Sequence, residues 1–394
     1  MNGMISVTEA QQRLFALADP VAVARVPLRE AAGRWAAEPL AALRTQPELP
    51  LSAMDGYAIR FADRPGPWRV TGESAAGRPF AGSVAAGEAV RIFTGAAVPQ
   101  GADAILVQEE ARRAGDTLVL DGEGPPAPGA HVRVAGLDFM RNDTLIEAGA
   151  RLTPARIALA AIAGHATLPV RRRIRVAIAA TGDELRAPGQ PLATGELPES
   201  NGAMLTAMLA PLPVELIDLG ILPDQIDALT AAFSAVDADI LVTTGGASVG
   251  DHDLVRPALE AAGAVIDFWK VAMRPGKPVM AGRMRDTVVL GLPGNPVSAH
   301  VTALLFVVPM VASLSGAADP LPPRRTALLG AALPANGPRA DHIRAVHRDG
   351  RVVPADRQDS SMLRILATCD CLIVRAPHVP AATPGDSVEI LDIA

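Results

Sequence analysis

The sequence predicts a multidomain α/β plus β protein. A central parallel-sheet α/β domain is placed over residues 171–318 and a β-rich inserted domain over 41–140; 1–40 with 141–170 form a helical hinge segment, and 319–394 a C-terminal β-barrel-like domain. Three observations lead there. The chain has 394 residues, beyond the size at which a single core stops growing. From residue 174 apolar strands alternate with helical patterns, the signature of a parallel sheet covered on both faces. On either side of that stretch, prolines and glycines punctuate short extended runs, as in small β domains.

The elements follow in order. Ser6 with Glu9 three residues on forms a capping box, which predicts a helix over about 7–18. Runs such as "EAVRIF" and "TLVL" supply the strands of the 41–140 domain. Thr153 and Pro154 then open a helix through "RIALAAIAG", with a cap, a proline at its first position and a closing glycine. The α/β domain reads as "IRVAIAATG", a helix near 201–210, "VELIDLG", a helix near 224–236, "ADILVTTGG", a helix near 254–262, "DTVVLGLPG" and a long helix from about 296. After the break "DPLPPRR" short strands return and run to "PGDSVEILDI".

Composition narrows the function. Aromatic residues make up 3% of the chain and the net charge is −6, which argues against a stacking platform or a broad basic surface for nucleic acid. The N-terminal "MNGMISVTEAQQRLF" lacks a basic region followed by an apolar run, so a cytoplasmic protein is expected. The segment "VTALLFVVPMVASL" at 301–314 is too short to span a bilayer and contains Pro309, so a buried helix is expected in place of a membrane span. Cys369 and Cys371 read as one face of a strand rather than as a metal site or disulfide framework.

Four turns follow the predicted strands: "TGDE" at 181–184, "LGILPD" at 219–224, "TTGGASVGDHD" at 243–253 and "LPGNPVS" at 292–298. Strand ends of a parallel sheet converge, so these loops should face one crevice. Gly245, Gly246 and Gly250 let the backbone approach a ligand, exposed amides can hold an oxyanion, and Ser248 and Ser298 add hydroxyls. Asp251 stands where a phosphate loop carries its lysine. Asp183, Glu184, Asp224, Asp251 and Asp253 bring up to five carboxylates to the same place; they are either solvated loop charges and helix caps, or the oxygen ligands of a hard cation bridging to phosphate. Lys270, Arg274 and Lys277 follow, a second anion site or a basic solvated strand. His252 reads as a bystander and the "RRRIR" run at 171–175 as a boundary surface.

In order and rough spacing, "SAMDGYA", "FTGAAVPQGADA", "TGDEL", "TTGGASVGDHD", "KVAMRPGKP" and "GLPGNPVS" resemble the motifs of the MoeA-type molybdopterin molybdenumtransferases, which are similar to the gephyrin E domain. The resemblance runs from about residue 5 to the end. It implies the last step of molybdenum cofactor synthesis, in which adenylylated molybdopterin and molybdate give the cofactor and AMP. A molybdopterin-binding α/β domain, Mg²⁺ and a homodimer with sites at the subunit interface are implied as well. So are two classes of protein partner, a molybdopterin adenylyltransferase and a molybdoenzyme apoprotein. By motif, Glu184 and Asp253 would hold the metal, Asp224 would be a further carboxylate, and Lys270 and Arg274 would bind molybdate or substrate anion. Pro293, Gly294, Asn295 and Pro296 would shape the pterin-side loop, while Asp55 and Thr94 would reach the site from the partner subunit. The resemblance leaves open whether a molybdate oxygen or a water attacks the adenylyl phosphorus.

Two departures stand out. Asn142 replaces the second glycine of a G-x-D-x-x-x-G-D stretch, and asparagine tolerates the same left-handed backbone, so the turn should survive. Arg274 stands where many relatives have lysine, which changes the geometry offered to an oxyanion. The competing readings are the related molybdopterin adenylyltransferase, similar only to the α/β portion, and a non-catalytic gephyrin-like scaffold.

Overall fold

A computed structural model describes residues 4–246 and 254–393. Two compact units divide the chain: one comprises Met1–Glu38, Ala148–Thr153 and Leu168–Ala394, the other Pro39–Glu147 and Pro154–Thr167.

The first unit contains a six-stranded sheet ordered Val214–Leu222, Ile174–Thr181, Ile240–Thr244, Thr287–Leu292, Met280–Met284 and Ala264–Phe268. The first four strands pair in parallel, in register Ile174 with Val214, Val176 with Ile240 and Ile240 with Val288. Met280–Met284 runs antiparallel to both its neighbours, so the sheet is mixed at one edge. It returns from Thr287–Leu292 through a tight turn at Arg285, whose φ is +55°.

Alternation along each strand divides the core. Val176, Ile178, Ile240, Val242, Val288 and Leu290 pack with Val7, Leu14, Leu205 and Val301 on one face. Ala177, Ala179, Leu241 and Val289 pack with Leu229, Phe233, Val255 and Leu259 on the other. Two-residue periodicity thus seats helices on both faces, and each fully buried Val, Leu or Ile contributes about 1.5–3 kcal/mol.

The helical run Pro296–Leu314 has 19 residues, starting five residues before the apolar stretch read from the sequence, and its length and composition would suffice to cross a bilayer. Nearly all of it lies in the core of this unit. Pro309 has no N–H for the carbonyl four residues back, that of Leu305, and its ring crowds that turn. The helix widens into a π segment at Ala303–Val307, and the side-chain amide of Gln11 donates to Leu305 O at 2.9 Å. A buried glutamine in the N-terminal helix therefore satisfies the acceptor that proline leaves open. That helix spans Val7–Phe15, shorter than expected, with Ser6 Oγ accepting from the amide of Glu9.

The C-terminal region forms a second sheet ordered Met273–Arg274, Ala340–Arg348, Cys371–Arg375, Ser387–Asp392 and Arg324–Leu328, with Arg351–Pro354 paired to Ala340–Arg348. The amide of Gly330 donates to Val352 O, which links the two ends of this sheet and gives it a barrel-like closure. Met273–Arg274, from the α/β part of the sequence, adds to it in parallel. Cys371 begins a strand, but Cys369 lies in the turn before it and donates to Ile365 O, so the two do not share a strand face. The expectation failed because a C-x-C spacing does not reveal where a strand begins.

In the other unit six strands are ordered Ala104–Val107, Gly56–Ile59, Glu88–Ile92, Trp68–Ser74, Thr117–Leu120 and Ala111–Ala114, around Tyr57, Ile59, Trp68, Leu106 and Leu118. The helix Pro154–Ile162 belongs to this unit. Asn142 has a φ of +75°, so asparagine does hold the left-handed turn.

Candidate active site

The carboxyl ends of the parallel strands open into a cleft of about 810 Å³. Thr181, Gly182 and Glu184 come from the first turn, Asp224 from the second, Thr244, Gly245 and Gly246 from the third, and Pro293, Gly294, Asn295 and Pro296 from the fourth. The four loops singled out in the sequence share one crevice because their strands are parallel and in register. Gly245 has a φ of +92°, and a Cβ there would sit 2.4 Å from Thr181 O. Only glycine fits, and its absent side chain lets the third loop pass close to the first. A Cβ on Gly294 would meet Gly245 Cα at 3.6 Å, so the third and fourth loops also run close together. Ser248, Gly250 and Asp253, with Asp251 and His252, lie outside the described residues.

The first two loops gather carboxylates. The amide of Asp224 donates to Asp183 Oδ1 at 3.1 Å. Burial raises the pKa of Asp224 above the ordinary carboxylate value, and the charges of Asp183 and Glu184 raise it further. Among the described residues no ion pair neutralises these three, and no group of three or more His, Cys, Asp or Glu side chains is arranged to hold a metal. An all-oxygen set under mutual repulsion nevertheless suits a hard cation with few protein ligands and several waters.

Other expected residues lie elsewhere. Ser298 is buried in the helix after the fourth loop, and neither it, Lys270 nor Arg274 lines the cleft; Pro278, downstream of the cations, does. Lys270 Nζ stands 4.9 Å from the centre of the Trp269 ring. Arg274 is paired through Nη2 with Oδ2 of Asp341, a residue only 4% exposed, on the neighbouring strand of the C-terminal sheet. Arg274→Ala should destabilise the protein by about 1–3 kcal/mol, because it leaves a buried carboxylate unpaired. Denaturant unfolding of Arg274→Ala, Asp341→Asn and the double variant checks this; additive losses would show that the pair is not coupled.

In the second unit Asp55 Oδ1 accepts from both the amide and the hydroxyl of Thr94, at 2.7 and 2.8 Å. The Thr94 amide, then its hydroxyl, hold the Asp55 carboxyl below its ordinary pKa. Two residues chosen from separate motifs are thus one hydrogen-bonded pair. A Cβ on Gly56 would lie 2.1 Å from Leu106 O, so glycine after Asp55 allows the strands to close beside it.

The sequence reading missed part of the cleft wall. Leu185, Leu197, Pro198, Glu199, Ser200 and Asn201 line it, as do Ser361 and Leu363 from the C-terminal region. Asn295 Nδ2 donates to Ser360 Oγ at 3.1 Å and the amide of Val297 to Ser360 O at 3.2 Å, which ties that segment to the fourth loop. The only local signal was "PESN", polar residues directly before a helix.

Comparison with known proteins places these features. Residues 5–164 match the MoeA N-terminal region (domain I and II), 177–313 a probable molybdopterin binding domain and 326–393 the MoeA C-terminal region (domain IV). The chain is 35% identical to a molybdopterin molybdenumtransferase of Haemophilus influenzae, over 98% of each chain. It is 34% identical to molybdopterin molybdenumtransferase 2 of Mycobacterium tuberculosis, over 99% of this chain and all of the other. A crystal structure of a molybdopterin biosynthesis moeA protein from Pyrococcus horikoshii superposes with a TM-score of 0.85 at 26% identity, covering 99% of this chain and 100% of that one.

Proposed function

The chain belongs to the MoeA family of molybdopterin molybdenumtransferases, and from that premise we propose how its cleft performs the family's reaction. It is a transferase of molybdenum cofactor biosynthesis, and the reaction is molybdenum insertion. The adenylyltransferase and scaffold readings are not favoured, since the matches extend beyond the α/β portion over nearly the whole chain of enzymes with this name.

In the proposed reaction adenylylated molybdopterin and molybdate give molybdenum cofactor and AMP. The observation that carries this assignment of the site is the convergence of four strand-end loops, with carboxylates on two and close-approach glycines on the others. Backbone amides around Gly245, Gly246 and Gly294, with Ser248 and Gly250, would cradle the phosphate ester, and Pro293, Asn295 and Pro296 would shape the pterin side. The bond between the adenylyl phosphorus and the pterin phosphate oxygen breaks, an oxygen of molybdate or of water joins phosphorus to give AMP, and the two dithiolene sulfurs bind molybdenum in place of one molybdate oxygen, which leaves in AMP or, with the two thiol protons, as water. Glu184 and Asp253 would hold Mg²⁺, with Asp224 beside them, and the cation would supply positive charge against the phosphate oxygens. Lys270 and Arg274 would attract molybdate; the Arg274 side chain stays 63% exposed beside Asp341.

The same reading gives a cytoplasmic homodimer in which Asp55 and Thr94 serve the partner's cleft, with a molybdopterin adenylyltransferase upstream and a molybdoenzyme apoprotein downstream. Both cysteines are free thiols, which agrees with a reducing compartment. The four-part division at 1–40 with 141–170, 41–140, 171–318 and 319–394 belongs to this proposal too. Purified protein given adenylylated molybdopterin, molybdate and Mg²⁺ should release AMP in step with cofactor formation. AMP release independent of molybdate, or none at all, would refute the assignment.

A further inference from the structure

Asn201 opens the helix Asn201–Leu209 on the wall of the cleft and is only 8% exposed. Its Nδ2 donates to the carbonyl of Gly294, in the fourth loop, at 2.8 Å. That bond sets the orientation of the amide, because a carbonyl accepts only from the nitrogen, so Oδ1 must point away from Gly294. Oδ1 is buried and has no hydrogen-bond partner among the described residues. A buried acceptor without a donor is costly in the free protein, and such groups call for an explanation. Here the explanation is a ligand donor: Asn201 lines the cleft and its amide is held by Gly294, so a ligand seated against this wall brings a donor to Oδ1 with a small shift of the wall.

We propose that Asn201 is a positioning and specificity residue whose Oδ1 accepts a hydrogen bond from an N–H of the substrate's pterin ring. The proposal rests on the reaction assigned above. Phosphate oxygens offer no donor, and Glu199, a carboxylate on the same wall, disfavours an anion there. The aminopyrimidinone edge of a pterin presents adjacent N–H donors, which suits a wall of acceptors. Glu199 is itself positioned: its Oε1 accepts from the amide of Gly202 at 2.8 Å. A ribose hydroxyl or adenine amino group is the competing donor, and AMP carries both of those without the pterin.

The test is binding of adenylylated molybdopterin and, separately, of AMP to the full chain without molybdate, so that no turnover occurs. Asn201→Ala should weaken adenylylated molybdopterin about tenfold and leave AMP unchanged, because a site built to accept a donor discriminates by that bond. Asn201→Leu fills the same volume without polar atoms and should behave alike, which guards against a collapsed alanine variant. Equal loss for both ligands would assign Asn201 to the nucleotide end or to cleft shape, and no loss for either would leave Oδ1 without a ligand; both outcomes overturn the proposal. Failure of the wild-type protein to bind adenylylated molybdopterin would instead overturn the assigned reaction.

Discussion

Glu184→Gln is expected to lower magnesium-dependent AMP release about a thousandfold, the effect of removing several kcal/mol of charge stabilisation at the reacting phosphate. The substitution keeps the shape of the side chain and removes its charge. Burial raises the pKa of Asp224 and the negative charges of Asp183 and Glu184 raise it further, so the cluster is repulsive when ionised. A carboxyl whose folded pKa lies above its unfolded value contributes stability below the unfolded value, and that contribution is lost as pH rises through the folded value. At neutral pH the cluster therefore opposes folding, and Glu184→Gln should leave the thermal midpoint unchanged or raised. It should also bring the pKa of Asp224 back toward its ordinary value. Mg²⁺ affinity of the wild-type protein should fall as pH drops through the raised value, because protonating Asp224 removes a negative charge beside the cation. Calorimetric titration of Mg²⁺ at several pH values, alongside AMP release, checks each part. Wild-type turnover by the variant at limiting Mg²⁺ would remove Glu184 from the metal site.

What the sequence made legible was whatever repeats or punctuates locally. The apolar alternation of Ile174–Thr181, Ile240–Thr244 and Thr287–Leu292 announced a parallel sheet, and parallel strands place their following turns together; Glu184, Asp224, Gly245 and Gly294 could be assembled before any coordinates. Features that depend on partners far along the chain were not legible. The antiparallel direction of Met280–Met284 depends on a turn with a non-glycine residue, Arg285, at positive φ, which no glycine or asparagine advertises. The pairing of Arg274 with Asp341 joins residues 67 apart, and the seat of Ser360 on Asn295 joins residues 65 apart. Nothing in the sequence marks Asn201, because an asparagine at a helix start is indistinguishable there from a cap. Only its buried, half-satisfied amide separates it from one.

Mixed dimers of Asp55→Ala and Glu184→Ala chains should recover activity that neither variant has alone. Asp55 and Glu184 sit in different compact units, and the carboxylate of Asp55 is held by Thr94 in a local hydrogen-bonded pair that lowers its pKa. It is thus an ionised, oriented group that needs no neighbour from the α/β sheet to stay so. If each cleft takes Asp55 from the partner subunit, a mixed dimer has one cleft with both residues altered and one with both intact. Random mixing of equal amounts makes about half the dimers mixed, each with one working site of two, so activity returns to about one quarter of wild type. If instead Asp55 serves the cleft of its own chain, every cleft in the mixture keeps one defect and no activity returns. Subunit exchange is followed with differently tagged chains and AMP release is measured before and after mixing. Exchange without recovery would place Asp55 in its own chain's site or outside the chemistry, and the partner-delivered carboxylate would be wrong.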